Sequence, residues 1–155
     1  MQIYVDADGC PVKDEVYKVA RRCGLTVHVV ANKWLQTPPM LLAPDVPLVR
    51  MVVVSDGFDA ADDWIVEHVE ARDVVVTSDI PLAARCVAKD AAVLDPKGRR
   101  FTENDIGSAL ASRDLMAHLR ESGLVTGGPA PFHARDRSKF LQALDTAIQQ
   151  GRRKA

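Results

Sequence analysis

Short apolar runs recur along residues 1–95, and the segments between them have the periodicity of helices. The runs predict strands at residues 2–5, 25–31, 49–54, 74–77 and 91–94, and the intervening segments predict helices at 12–23, 59–70 and 79–89. Strands that are apolar on both faces and alternate with helices are typical of a parallel sheet covered on both sides. Right-handed crossovers then favour an α/β fold, here a three-layer αβα sandwich with a mostly parallel sheet of about five strands.

Beyond residue 95 the pattern predicts helices and no further strand. Thr102 to Asp105 resembles a helix N-terminus in which Thr102 is the cap and Asp105 reaches back to it. That helix is expected to run to about Glu121, and a last amphipathic helix is expected over residues 133–150. We therefore predict one domain over residues 1–150, made of an α/β core (1–95) and a helical C-terminal part (96–150), with a frayed tail at 151–155.

The composition is that of an ordinary globular protein, with 47% hydrophobic and 26% charged residues in a chain of 155. No apolar stretch approaches the roughly 20 residues that span a bilayer, and the chain opens directly on a strand without a signal-peptide pattern. Three cysteines without a Cys-x-x-Cys pair fit reduced thiols better than a disulfide framework. We expect a cytoplasmic protein with no membrane partner, and its oligomeric state stays open.

The net charge of −1 conceals an uneven distribution along the chain. Residues 1–94 contain 9 Lys and Arg against 14 Asp and Glu, whereas residues 95–155 contain 11 Lys and Arg against 7 Asp and Glu. An acidic half that holds metal and a basic half that holds phosphate would give this pattern, and so would ordinary charged helix surfaces. Charge alone therefore does not select a partner.

Acidic residues follow several of the predicted strands. Asp6 and Asp8 come at the end of the first strand and Asp79 after the fourth, where open α/β sheets bind their ligands. Asp59 and Asp62 lie three positions apart at the start of a helix, where each would also suit a cap or a turn. Carboxylates are the ligands that Mg²⁺ and Mn²⁺ prefer, so we predict that these five acids bind one or two such ions. Asp6, Asp8 and Asp79 are the predicted catalytic residues.

Further polar residues are candidates for contact with a phosphate-bearing substrate: Lys13, Ser78, Arg113, Arg135 and Arg137. Guanidinium groups and a first-turn lysine bind phosphate oxygens well. The same residues also suit salt bridges between helices and pairing with neighbouring acids, and both interpretations stay open. Aromatic residues make up only 5% of the chain, which leaves no stacking platform for single-stranded bases.

Seven motifs spread over nearly the whole chain carry a resemblance to a known family: Val5-Asp-Ala-Asp-Gly-Cys-Pro11, Gly57-Phe-Asp-Ala-Ala-Asp62, Asp73-Val-Val-Val-Thr-Ser-Asp-Ile-Pro-Leu-Ala-Ala84, Asp95-Pro-Lys-Gly98, Arg113-Asp-Leu-Met116, Thr126-Gly-Gly-Pro129 and Arg135-Asp-Arg137. With them the sequence resembles the bacterial YaiI/YqxD family, whose members are largely uncharacterised. The resemblance implies a distant relation to PIN-like nucleases, in which acids follow the first strand, lie on a central helix and occupy a Thr/Ser-x-Asp motif after the fourth strand. The corresponding positions here are Asp6, Asp59 or Asp62, and Thr77-Ser78-Asp79.

The resemblance implies a nuclease that depends on Mg²⁺ or Mn²⁺ and hydrolyses RNA or another nucleic acid. Two other functions stay open. One is a protein that binds nucleic acid or nucleotide in the same pocket without turnover. The other is a phosphatase with Asp6 as nucleophile, which the Asp-x-Asp-Gly motif favours, although such enzymes have Thr or Ser after this region where the chain has Cys10-Pro11.

Overall fold

A single parallel sheet organises the protein. The computed structural model describes residues 1–8, 10–33, 49–55, 57, 59–107 and 132–153. Within these residues the strands are β1 (Ile3–Asp6), β2 (Val27–Ala31), β3 (Val49–Val53), β4 (Val74–Val76) and β5 (Ala92–Leu94). Every neighbouring pair is parallel, and the strand order is β3-β2-β1-β4-β5. The predicted α/β class and the five-stranded parallel sheet are confirmed.

Helices cover both faces of this sheet. They are α1 (Lys13–Cys23), α2 (Ala60–His68), α3 (Ile80–Val87) and α4 (Ala134–Arg153), and residues 103–107 are also helical. Side chains of α1 and α4 pack with Val5 in one core, whereas side chains of α2 and α3 pack with Tyr4 in the other. Because successive residues of a strand point to opposite faces, the two cores lie on either side of the sheet. The three predicted layers are therefore present.

Local sequence explains where the helices begin and end. Gly24 adopts a left-handed conformation, with φ 72°, directly after α1 and ends it. Thr102 Oγ1 accepts from the backbone N–H of Asp105 at 3.2 Å, and Asp105 Oδ2 accepts from the backbone N–H of Thr102 at 3.3 Å. This reciprocal capping is the arrangement that the sequence predicts, and the remainder of the predicted helix up to Glu121 lies outside the described residues.

Helix α4 extends past its predicted end at Gln150. Residues 151–153 are helical, which corrects the expectation of a frayed tail over that stretch. Arg152 donates to the carbonyl of Cys23, so the last turn is fastened to the end of α1. Phe140 and Leu144 of α4 are fully buried, and burial of each contributes about 1.5–3 kcal/mol to stability.

Two further features bear on the composition-based expectations. The cysteines Cys10, Cys23 and Cys86 are all free. None of the helices in the described ranges is both long enough and apolar enough to cross a membrane.

The strand order fixes where a ligand site is expected. The chain passes from β1 outward to β2 and β3, and then returns to the other side of β1 to form β4 and β5. Such a reversal opens a crevice beyond the carboxyl ends of the two central strands, and open α/β sheets bind ligands there. Here the reversal lies between β1 and β4. Asp6 is the last residue of β1, and Asp79 follows β4.

Candidate functional site

A cavity of about 600 Å³ opens at this crevice, a size typical of ligand pockets. All five predicted acids line it: Asp6, Asp8, Asp59, Asp62 and Asp79. They arrive from three separate segments, namely the end of β1, the start of α2 and the start of α3. The fold thus brings together the whole predicted carboxylate set, while its role in binding a metal stays a prediction. We call this space the carboxylate cavity.

Thr77 connects two of these acids. Its hydroxyl donates to Asp6 Oδ2 at 2.9 Å and accepts from the backbone N–H of Asp79 at 3.0 Å. The Thr77 side chain is buried, so this link is shielded from water. Burial raises the pKa of Asp6, the hydrogen bond from Thr77 acts against that rise, and the charges of Asp79 and Asp8 add to it. Asp6 is therefore an oriented carboxylate in a partly desolvated, negatively charged environment.

Asp59 and Asp79, the acids at the starts of α2 and α3, differ in whether the side chain caps its helix. Asp79 Oδ1 accepts from the backbone N–H of Leu82 at 3.0 Å and caps α3, whose first turn contains Pro81. Asp59 occupies the cap position of α2 with φ 61° but makes no capping hydrogen bond. A positive φ is uncommon for a residue other than glycine, although aspartate adopts it more readily than most, and Asp90 has a similar φ of 62° away from the cavity. Capping therefore explains Asp79 in part and does not explain Asp59.

Asp62 shows that the acids repel one another. Burial, followed by the charges of Asp79, Asp6 and Asp59, raises the pKa of Asp62 to about 6, and Arg85 acts in the opposite direction. Carboxylates at close range raise each other's pKa unless a cation compensates them. The cavity therefore concentrates negative charge, and no lysine or arginine is among the described residues that line it.

Asn32 lines the same cavity, and our sequence reasoning missed it. Its backbone N–H lies 3.4 Å from Asp8 Oδ2, and its side-chain amide also faces the Asp8 carboxylate. The sequence signal is a polar residue directly after the apolar strand β2, at the same edge of the sheet as Asp8.

The donor types in the cavity fit a hard divalent cation, because carboxylate and amide oxygens are the ligands of Mg²⁺ and Mn²⁺. As the side chains are placed, no three His, Cys, Asp or Glu residues of the described ranges form a group that would hold a metal. Binding of a cation would therefore require some of the acid side chains around the cavity to move closer to one another. The donor set therefore fits by chemistry and needs side-chain rearrangement to fit by spacing.

Most of the predicted substrate contacts lie elsewhere. Ser78 lines the cavity, whereas Lys13 donates to the carbonyl of Cys10 at 3.2 Å and is absent from the described lining. Arg137 donates to the carbonyl of Pro11 at 2.7 Å and to Glu15 Oε1 at 3.2 Å, which is a contact between α4 and α1.

Two predicted arginines remain. Arg135 is exposed beside His133 near the start of α4, and it does not belong to the described lining of the carboxylate cavity. Arg113 lies outside the described residues. A basic rim around the cavity therefore has no described member, and substrate contact by these arginines stays a prediction.

Comparison with known proteins agrees with the motifs. A family model described as an uncharacterised YaiI/YqxD family matches residues 4–150. The chain belongs to the YaiI/YqxD family. Similar relatives are UPF0178 proteins of Paramagnetospirillum magneticum (55% identity, 98% of this chain and 97% of the relative), Gluconacetobacter diazotrophicus (52%, 100% and 97%) and Rhodopseudomonas palustris BisB5 (55%, 99% and 91%). No solved structure matches the chain. The YaiI/YqxD match spans the carboxylate cavity and both cores.

Proposed function

We propose that this YaiI/YqxD protein is a divalent-metal-dependent nuclease whose active site is the carboxylate cavity. The observation that carries the proposal is the convergence of five acids from three chain segments at the reversal point of a parallel sheet. A fold gains no stability from gathering like charges, so a role in binding explains the arrangement better than a structural one. RNA is the substrate class that the resemblance to PIN-like nucleases favours.

The residues of the cavity have separable tasks in this proposal. The five acids that line the cavity would hold the cation: Asp6, Asp8, Asp59, Asp62 and Asp79. Thr77 would orient Asp6 for this purpose through its hydroxyl. The chemistry that a bound Mg²⁺ or Mn²⁺ supplies is activation of a water molecule and stabilisation of charge on phosphoryl oxygens.

The charge of the cavity favours this function over the two alternatives. Neither lysine nor arginine is found among the described residues that line it. A phosphate group would be repelled by the acids alone, so a binder that relied on its own side chains would be poorly served by this cavity. An aspartyl-phosphate on Asp6 would likewise lack a described cationic partner, which disfavours the phosphatase.

The decisive experiment compares Asp6→Asn with wild type in cleavage of labelled RNA with millimolar Mg²⁺ or Mn²⁺. We expect the substitution to lower the cleavage rate by at least about 100-fold, because even the outer partners of metal ligands are worth 10–100-fold. Asp63→Asn is the matched control, since Asp63 is exposed and pairs with Arg85. Circular dichroism of each variant verifies the fold.

Several outcomes would contradict the proposal. Cleavage that persists in excess EDTA would exclude the metal dependence. A beryllofluoride adduct on Asp6 would favour the phosphatase, and salt-dependent retention of RNA with no cleavage under any divalent metal would favour the binder. A melting temperature that millimolar Mn²⁺ leaves unchanged would count against metal binding itself.

A further inference from the structure

Asn32 stands level with Asp8 because of the register between β1 and β2. These strands are parallel with Asp6 opposite Val30, so the residues two positions further on leave the sheet side by side. The N–H of Ala7 donates to the carbonyl of Val30 at 2.9 Å and continues the pairing past the end of β1. The sheet itself therefore puts a short amide side chain next to an acid of the cavity.

Asn32 contacts both oxygens of the Asp8 carboxylate. Its side-chain nitrogen is assigned to the side facing Asp8, because the amide oxygen would otherwise face only carboxylate oxygens. In that orientation the nitrogen donates to Oδ1 at 3.2 Å and also to Oδ2. The backbone N–H of Asn32 adds a longer contact of 3.4 Å to Oδ2. One residue thus restrains Asp8 through two donor groups.

The choice of an amide has an electrostatic consequence. Asparagine donates hydrogen bonds without carrying charge, so it orients Asp8 and leaves the carboxylate free to attract a cation. A lysine or arginine at this position would orient Asp8 equally well and would cancel that attraction. The hydroxyl of Thr77, which is also uncharged, orients Asp6 in the same way. Both acids of the Asp-x-Asp motif are therefore oriented by uncharged donors from neighbouring strand ends.

We propose that Asn32 is a positioning residue of the carboxylate cavity and fixes Asp8 for binding of a divalent cation. Asp8 lies two residues beyond the end of β1, is exposed, and would otherwise rotate freely in water. Partners that orient metal ligands in this way affect metal affinity by about 10–100-fold. The inference rests on the proposed function, because the placement of Asp8 matters only if the cavity takes up a cation.

The test is a double-mutant cycle on Mn²⁺ affinity, read from the electron paramagnetic resonance signal of free Mn²⁺. Asn32→Ala is expected to raise the Mn²⁺ dissociation constant by about 10-fold. In an Asp8→Ala background the same change is expected to have no further effect, because Asn32 acts through Asp8. Lys33→Ala alters the neighbouring exposed residue and is expected to keep the wild-type affinity. Thermal melts without metal verify that each variant folds.

The outcomes separate this inference from the function on which it rests. Wild-type affinity in Asn32→Ala overturns the inference alone, provided that wild type binds Mn²⁺ and Asp6→Asn does not. An equal loss with and without Asp8 also overturns it, because Asn32 would then act directly. Failure of the wild-type protein to bind Mn²⁺ overturns the proposed function and this inference together.

Discussion

Carboxylates at the two ends of the sheet have opposite effects on the stability of the fold. At the amino end, both oxygens of Asp73 accept backbone N–H groups, from Gln2 at 2.9 Å and from Glu70 at 2.9 Å. At the carboxyl end, burial and neighbouring acids raise the pKa of Asp62 to about 6, and burial raises the pKa of Asp6. One carboxylate stabilises the fold, whereas the others oppose it while they are charged.

Other polar groups at the amino end are satisfied in the same manner as Asp73. Tyr4 stacks on His28 with ring centroids 4.7 Å apart, and its hydroxyl donates to the carbonyl of His68 at 3.1 Å. His28 shares a hydrogen bond of 2.5 Å with Gln2, and burial lowers the pKa of His28. Among these described groups, those at the amino end have hydrogen-bond partners, whereas the acids at the carboxyl end raise one another's pKa, and charge concentrated in this way is common at binding sites.

The comparison can be tested by making the same chemical change at both ends. Asp73→Asn replaces an acceptor of two N–H groups by an amide, which has one acceptor and one donor end, so one N–H in a partly buried hydrogen bond loses its partner. We expect a loss of about 2 kcal/mol in the free energy of unfolding. At this size of protein that corresponds to a decrease of about 4–8 °C in melting temperature, measured by circular dichroism at pH 7. An unchanged melting temperature would mean that the two hydrogen bonds do not stabilise the amino end.

Asp62→Asn is expected to raise the free energy of unfolding, the opposite of the change expected for Asp73→Asn. Because folding raises the pKa of Asp62 from 3.8 to about 6, its favourable contribution is complete below pH 3.8 and is lost as the pH rises through 6. Asparagine removes the repulsion, so at pH 8 we expect about 1 kcal/mol of added stability after allowance for partial exposure. Melting in EDTA should rise by about 2–4 °C at pH 8.

The pH dependence is the control for this second prediction. At pH 4 the wild-type carboxyl is largely protonated, so Asp62→Asn should change the melting temperature far less than at pH 8. An equal gain at both values would show that the asparagine stabilises helix α2 for reasons unrelated to charge. No gain at pH 8 would contradict the repulsion in the cavity.

Much of the carboxylate cavity could be predicted from sequence because strand ends are local features. The carboxyl ends of parallel strands meet at one edge, so the sequence predicts Asp6 and Asp79 there without the strand order. Spacing does not say which strand ends are neighbours, however. Asp95 follows β5 as Asp79 follows β4, yet its Oδ1 accepts from the backbone N–H groups of Lys97 and Arg99 and it is not part of the described cavity lining. The difference is that β4 pairs with β1 and β5 does not.

The features that sequence reasoning missed depend on contacts between distant segments. Asn32 meets Asp8 only through the register of β1 and β2, which no local pattern encodes. For Arg137 the sequence leaves substrate contact and a salt bridge between helices open, and the packing of α4 on α1 brings it to Glu15. Contacts between distant segments thus determine both positions. They place Asn32 at the cavity and bring Arg137 into an ion pair between α4 and α1.

The smallest expected effect belongs to Asp63, which adjoins Asp62 and shares its position in the first turn of α2. Its Oδ1 pairs with Arg85 at 2.9 Å, with the side chains 55% and 46% exposed. Such exposed pairs contribute about 0–1 kcal/mol, many of them nothing measurable, and salt weakens them further. Asp63→Asn should therefore leave the melting temperature at pH 8 nearly unchanged. Because both acids experience the same helix dipole, a gain at Asp63 equal to that at Asp62 would assign the effect to the helix rather than to the cavity.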